Sequence, residues 1–386
     1  MEAYSGRLAS RRAPWLLTAA GVFCATLSAF VAAGAALPVL PPFVRGPVHA
    51  GDVAVGVVIG AFSVSAIVVR PLAGQLADRR GRQPVMLAGT LLTAAAGALL
   101  LAPASLPLVL VSRLIMGAGE GLLFTAGSAW IVDLAPEERQ GQVIGLFGLS
   151  VWGGMTVGPL IGDQLLGGFG YDAVWVTMAV VPLVGGLIAW RLSEPARPAT
   201  EHERGRLVPR AVVVPGASLA LANAGYATMA AFVVLELARR GIGHGAVVFT
   251  AYAASVALSR LLLGHLPDAI GARRSAVLAG VAEAAGLAVI AVAGSWPLAA
   301  VGAVVMGTGF SLLYPALALA VVQATGERGR GKALGGFTAF FDIGMGLGAP
   351  AAGAIASLGG YGAAFWAAAG AALGAAFIAG RWLPTR

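Results

Sequence analysis

The chain has 386 residues, of which 58% are hydrophobic and 11% charged, and its mean hydropathy is +0.86. A water-soluble domain of this size could not stay in solution with that balance, so the chain needs lipid as its solvent. The formal charge of +8 does not point to nucleic acid, because no basic face interleaves with exposed aromatics.

Apolar stretches of about 20 residues recur along the whole chain and predict serial membrane spans. In the first half they fall at 15–40, 54–76, 84–102, 107–133, 141–166 and 173–192, and in the second at 211–237, 245–266, 274–294, 297–323, 332–357 and 361–382. The first is too long, and too Pro-rich at its end, for a cleaved signal peptide. Between the halves, Ser193 to Arg210 is rich in Pro, Glu and Arg and reads as a solvated linker. The expected organisation is a bundle at 1–194, a cytoplasmic linker at 195–210 and a second bundle at 211–386.

With a cytoplasmic amino terminus, nineteen of the 25 basic residues fall in cytoplasmic segments: Arg7, Arg11, Arg12, Arg79, Arg80, Arg82, Arg139, Arg191, Arg197, Arg204, Arg206, Arg210, Arg273, Arg274, Arg328, Arg330, Lys332, Arg381 and Arg386. Arg45, Arg239 and Arg240 land outside, and Arg70, Arg113 and Arg260 remain within spans. This asymmetry places both termini in the cytoplasm. Cys24 is the single cysteine, and His49, His202, His244 and His265 are scattered. Neither a disulfide framework nor a metal or other cofactor site is expected, and hydrolytic or redox catalysis is not.

The halves are related by a fixed offset of 190 residues. Arg70, Gly74, Leu76, Asp78 and Gly81 map onto Arg260, Gly264, Leu266, Asp268 and Gly271. Met116, Gly117, Gly119, Leu122 and Leu123 map onto Met306, Gly307, Gly309, Leu312 and Leu313, and Gly141, Gly145, Phe147 and Gly154 onto Gly331, Gly335, Phe337 and Gly344. Six spans return a chain to its starting side, so the duplication predicts an all-α membrane protein. Its twelve transmembrane helices form two pseudo-symmetric six-helix bundles around a midplane cavity, about which they rock.

The run Gly74-Gln75-Leu76-Ala77-Asp78-Arg79-Arg80-Gly81-Arg82-Gln83 strongly resembles the signature loop of the major facilitator superfamily, and Gly264 to Arg274 is a decayed second copy. Glycines let the chain turn tightly, and a carboxylate and a guanidinium form a charge-assisted latch. The resemblance implies that the latch uses Asp78, Arg79, Arg82, Asp268 and an acid at the cytoplasmic end of the fourth span, where Asp133 stands. Leu110 to Gly121 resembles the family's fourth-span motif. Gly154, Gly158, Pro159 and Gly162 in the fifth span resemble its antiporter pattern, in which small residues let helices pack closely and proline bends the span. Arg70-Pro71, Gly119-Glu120-Gly121 and Tyr314-Pro315 look like the drug, sugar or metallophore efflux branches.

A charge at bilayer depth costs at least about 2.5 to 3.5 kcal/mol and needs a partner, water or a function. Glu120, in the middle of the fourth span, is the first candidate for proton coupling; the alternative is a structural acid bonded to a neighbouring helix. Arg113 lies seven residues, hence about 10 Å, from it on one helix face, too far for direct pairing but placed for the same cavity. It is read as a contact for an anionic substrate or as half of a fixed interhelical pair. Asp342 is read as a second proton site, a contact for a cationic substrate or a structural group. Arg70 and Arg260 are expected to share a symmetric structural role, with substrate contact as the alternative. Glu283, in a span that usually faces lipid in this family, has pairing with a neighbouring helix as its sole account, and Asp163 and Glu236 are expected at water-reached span ends.

Spans one, four, seven and ten line the pathway in the family. The cavity candidates there are Ser28, Phe124, Asn223, Tyr226, Phe310 and Tyr314, a set suited to an amphipathic organic solute. The expected function is secondary transport of a small solute by a monomer in the cytoplasmic membrane, with the proton and lipid as further partners. Proton-driven efflux leads; uptake by symport or facilitated diffusion, and a non-transporting sensor or scaffold, are the alternatives.

Overall fold

The structure, a computed structural model, describes residues 14–135, 140–194 and 210–383, with the backbone alone at 14, 140–142, 210–211 and 326–332. All of the expected linker but Arg210, and the basic residues Arg7, Arg11, Arg12, Arg139 and Arg386, lie outside these. Among the described residues there is no strand.

Among the described residues twelve helical segments follow one another: α1 Pro14–Ala36, α2 Leu40–Arg45, α3 Asp52–Arg80, α4 Arg82–Leu99, α5 Leu106–Leu134, α6 Gln140–Phe169, α7 Tyr171–Trp190, α8 Arg210–Arg239, α9 Gly245–Leu263, α10 Leu266–Ile270, α11 Ala272–Val292 and α12 Trp296–Trp382. Most are apolar on every side, as helices between lipid and protein must be. Gly81 and Gly271, an offset pair, turn the chain between consecutive helices with φ of +96° and +88°, values that a residue with a Cβ rarely adopts.

The last helical run differs from expectation, because the three final spans are not separated by loops. A straight helix of 87 residues would be about 130 Å long, some four hydrocarbon thicknesses. Yet the Tyr314 hydroxyl lies 3.0 Å from Thr338 Oγ1, 24 residues away, so the run reverses between them. Gly360, with φ of +80°, marks a second reversal. Among the described residues, ten helices are long and apolar enough to cross a membrane, the last of them 50 residues. That last one is long enough to cross twice, and with the 18-residue α4 added the count is consistent with twelve.

Two short elements were not expected. Pro41 and Pro42 set α2, which caps the α1–α3 connection, and Pro267 opens α10 where the first copy of the loop continues α3 without a break.

Three buried clusters define the shape. At the signature-loop end each half has its own core, one around Met86, Trp130 and Phe147, the other around Leu313, Val321 and Phe337. At the opposite end, which carries α2, a single core runs through both halves, from Val58 and Trp152 to Tyr226, Phe310 and Phe365. The helix seam agrees. A Cβ on Gly56 would stand 2.2 Å from the Ala349 carbonyl, and one on Gly353 2.6 Å from that of Asp52, whereas Gly74, Gly145 and Gly335 at the loop end have nothing within 4 Å. The halves are joined at one end and part at the other.

Candidate functional site

Between the parted halves lies a cavity of about 330 Å³. Its wall is built from both halves by residues at matched positions: Arg70 with Arg260, Glu120 with Phe310, Phe124 with Tyr314, Trp152 with Asp342, and Met155 with Met345, each pair 190 residues apart. The pseudo-symmetry that folds the chain therefore also makes the site. The lining is mostly aromatic and aliphatic, with five charged groups.

Those charges are not equivalent. Arg70 on α3 and Asp342 on α12 pair across the seam, Nε to Oδ2 at 2.9 Å, and Arg70 also lies over the Phe124 ring at 5.6 Å. Arg113, 3% exposed, donates its Nε to the Val58 carbonyl at 3.3 Å and sits 5.1 Å from the Phe62 ring centroid. Glu120 is 4% exposed, and its Oε1 has no hydrogen-bond partner. Among the described residues, no opposite charge comes within salt-bridge distance of Arg113, Glu120 or Arg260. The equivalence expected of Arg70 and Arg260 does not hold: the first is bridged and the second is not, because Trp152 occupies in α6 the position that Asp342 holds in α12.

Of the expected cavity residues, Phe124, Tyr226, Phe310, Tyr314, Arg113, Glu120 and Asp342 stand on the wall. Ser28 does not. The wall takes Phe30 and Ala33 from α1 and Leu37 just beyond its end, and Ser28, nearly opposite on that helix, bonds the Ala25 carbonyl at 2.8 Å and abuts Gly185 of α7. Asn223 is likewise absent from it: fully buried, it donates its amide to the Phe341 carbonyl and ties α8 to α12. Sequence reasoning missed Phe62, Trp152, Phe341 and Met345. The offset held the signal, since positions 151, 152 and 155 and their mates 341, 342 and 345 all line the cavity.

At the loop end Arg82 bonds Asp78 at 2.5 Å and Asp133 at 3.2 Å, joining α3, α4 and α5. Glu194 accepts the amides of Arg82 and Gln83 at 2.7 and 2.9 Å, which ties the turn to the end of α7. Asp268 stands in α10, and Arg79 is exposed.

Two further acids differ from expectation. Glu236 is 0% exposed and pairs with Arg239 and Arg240 at 2.9 and 2.5 Å, so it is enclosed and not water-reached. Glu283 faces protein and not lipid: α11 turns it toward Gly225 of α8, and neither carboxyl oxygen has a hydrogen-bond partner, so the expected pairing is absent. Asp163 is exposed at the far end of α6.

On α6, Gly154, Gly158 and Gly162 face the backbone of α1. A Cβ on Gly162 would stand 2.0 Å from the Ala35 carbonyl, and one on Gly158 2.5 Å from that of Val31.

Two helical halves of one pattern, joined at one end around a charged, aromatic cavity, define a polytopic membrane transporter and not an enzyme. Residues 22–248 and 216–386 match the Major Facilitator Superfamily, and the chain belongs to that family. It is 30% identical over 363 residues to an uncharacterised MFS-type transporter of Salmonella typhimurium, covering 90% of this chain and 92% of that one. It is also 30% identical over 367 residues to one of Burkholderia mallei, covering 90% and 87%. Among solved structures, the nucleoside transporter NupG aligns with a TM-score of 0.79 at 14% identity, over 93% of this chain and 98% of that one. The human organic anion transporter MFSD10 aligns with a TM-score of 0.69 at 20% identity, over 95% and 99%. Those two likenesses show the fold alone.

Proposed function

We propose that this transporter moves a small amphipathic organic solute across the cytoplasmic membrane by alternating access, linked to protons through Glu120 and working as a monomer. The observation that carries the reading is Glu120 itself, a buried carboxyl on the cavity wall without an ion-pair partner among the described residues. A group held at that cost is explained by a proton that it takes and gives. With the loop end cytoplasmic, as Arg79, Arg80, Arg82, Arg273 and Arg274 there imply, the parted halves admit solute from the cell interior. Rocking of the halves closes that mouth and opens the α2 end.

Export in exchange for protons is the leading direction, supported by the resemblance of Gly154 to Gly162 to the antiporter pattern. Co-transport with a proton is the second reading. Three guanidiniums face two carboxyls on the wall, so protonating Glu120 favours an anionic solute and the two ligands bind together.

Purified protein in proteoliposomes tests both. Solute flux driven by an imposed pH gradient is expected in the wild type and lost in Glu120→Gln; unaltered flux in the variant removes the proton assignment. Flux against the proton movement marks exchange, and flux with it marks co-transport.

A further inference from the structure

The two arginines that the duplication placed at matched positions have become chemically different. Arg70 is neutralised by Asp342. Arg260 lines the same cavity, yet among the described residues it has neither an ion pair nor a side-chain hydrogen bond, and its Nη1 points across the seam to within 3.5 Å of where a Cβ on Gly148 of α6 would stand. Its five donors are unspent. Deeper in, Arg113 adds a second guanidinium without a carboxylate, and Glu120 is the one carboxyl on the wall outside the Arg70 bridge.

A guanidinium held in an apolar cavity without a counter-charge is costly, and a ligand that brings the charge relieves the cost. The same wall offers aromatic faces from Trp152, Tyr226, Phe310 and Phe341, clustered with ring centroids 5.7 to 6.4 Å apart, which suit a flat apolar body. A cation would find only Glu120 to set against the guanidiniums of Arg260 and Arg113, and a sugar would leave the Arg260 charge unmatched.

We propose that the solute is an organic monoanion with an aromatic or otherwise apolar body. Its carboxylate or sulfonate is held by the fork of Arg260, Arg113 supplies further positive potential, and the body lies against Trp152 and Phe310. This rests on the transport reading of the same cavity and holds for either direction.

The test compares three probes of one shape on the purified full chain by titration calorimetry: 2-naphthoate, 2-naphthamide and 2-naphthylmethylammonium. The naphthoate is expected to bind about ten-fold or more tightly than the other two. Arg260→Gln is expected to abolish that preference, weakening naphthoate binding far more than naphthamide binding, and Arg260→Lys to keep part of it. If Arg260→Gln does not fold, the wild-type ranking and the lysine variant decide. Tightest binding of the ammonium probe, equal binding of all three, or a preference that survives Arg260→Gln overturns the proposal. Proteoliposome flux of the same probes separates the two levels. If the amide or the ammonium moves and the naphthoate does not, the anion assignment falls and transport stands. If none of the three binds or moves, both fall.

Discussion

Arg70 of α3 and Asp342 of α12, 272 residues apart, form an ion pair across the seam, and it lies toward the end where the halves otherwise part. Asp342 is almost fully enclosed, whereas a quarter of the Arg70 side chain reaches solvent, so part of the attraction is screened. Arg70→Gln and Asp342→Asn should each lower thermal stability in detergent and raise the accessibility of a cysteine placed at Gly335. The double variant should lose less than the two singles together, with a coupling of about 1 to 3 kcal/mol. Additive losses would mean that the pair does not hold the halves together.

Arg82 spans two carboxylates on different helices, and lysine cannot reproduce that fork. Because these groups are partly exposed, the stability change on Arg82→Lys is expected to be about 1 kcal/mol or less. The transport rate should fall several-fold, since in the proposed cycle the loop end opens and closes. Melting temperature and initial flux, measured side by side, check the split; a large melting loss with normal flux would assign the group to folding alone.

The close approach of α1 and α6 depends on missing side chains. Gly162→Ala forces a methyl against the Ala35 carbonyl and should destabilise by about 1 to 3 kcal/mol, while Gly145→Ala, with open space around it, should be neutral. Equal melting temperatures for the two variants would refute the packing role.

Glu283 is enclosed by α8, α11 and α12 and has no hydrogen-bond partner for either oxygen. An ionised carboxylate there would be very costly, so Glu283→Gln, which keeps shape and removes the charge, should melt at or above the wild-type temperature. Gly225→Ala should melt well below it, because the new methyl would stand 2.6 Å from a Glu283 oxygen. A destabilised glutamine variant would show that the acid has an ionised role.

Most of the architecture was legible in the linear order of residues. Span length is set by bilayer thickness, and the run of apolar residues reports it directly. The fixed offset between the halves also carries the pairing of wall positions, whereas the cavity candidates rest on the spans that line the pathway in the family. Ser28 and Asn223 were misplaced for one reason: hydroxyl and amide groups in a span find a carbonyl on their own or an adjacent helix as readily as a cavity, and rotation about the helix axis decides which. The continuous helical course from Trp296 to Trp382 is hidden in the sequence because the run reverses between Tyr314 and Thr338 without leaving helical backbone, and again at Gly360 with little more than one positive φ.

The sequence by itself determined that this chain dissolves in lipid, crosses it repeatedly, repeats itself once and buries a few charges within the bilayer. Only the tertiary structure decided which of those charges cancel. Arg70 and Arg260 are alike in sequence context, and one is neutral in effect while the other is not, because ion pairing depends on what faces a group across a seam between distant segments. That geometry is fixed by the packing of two halves against each other, and no local pattern records it.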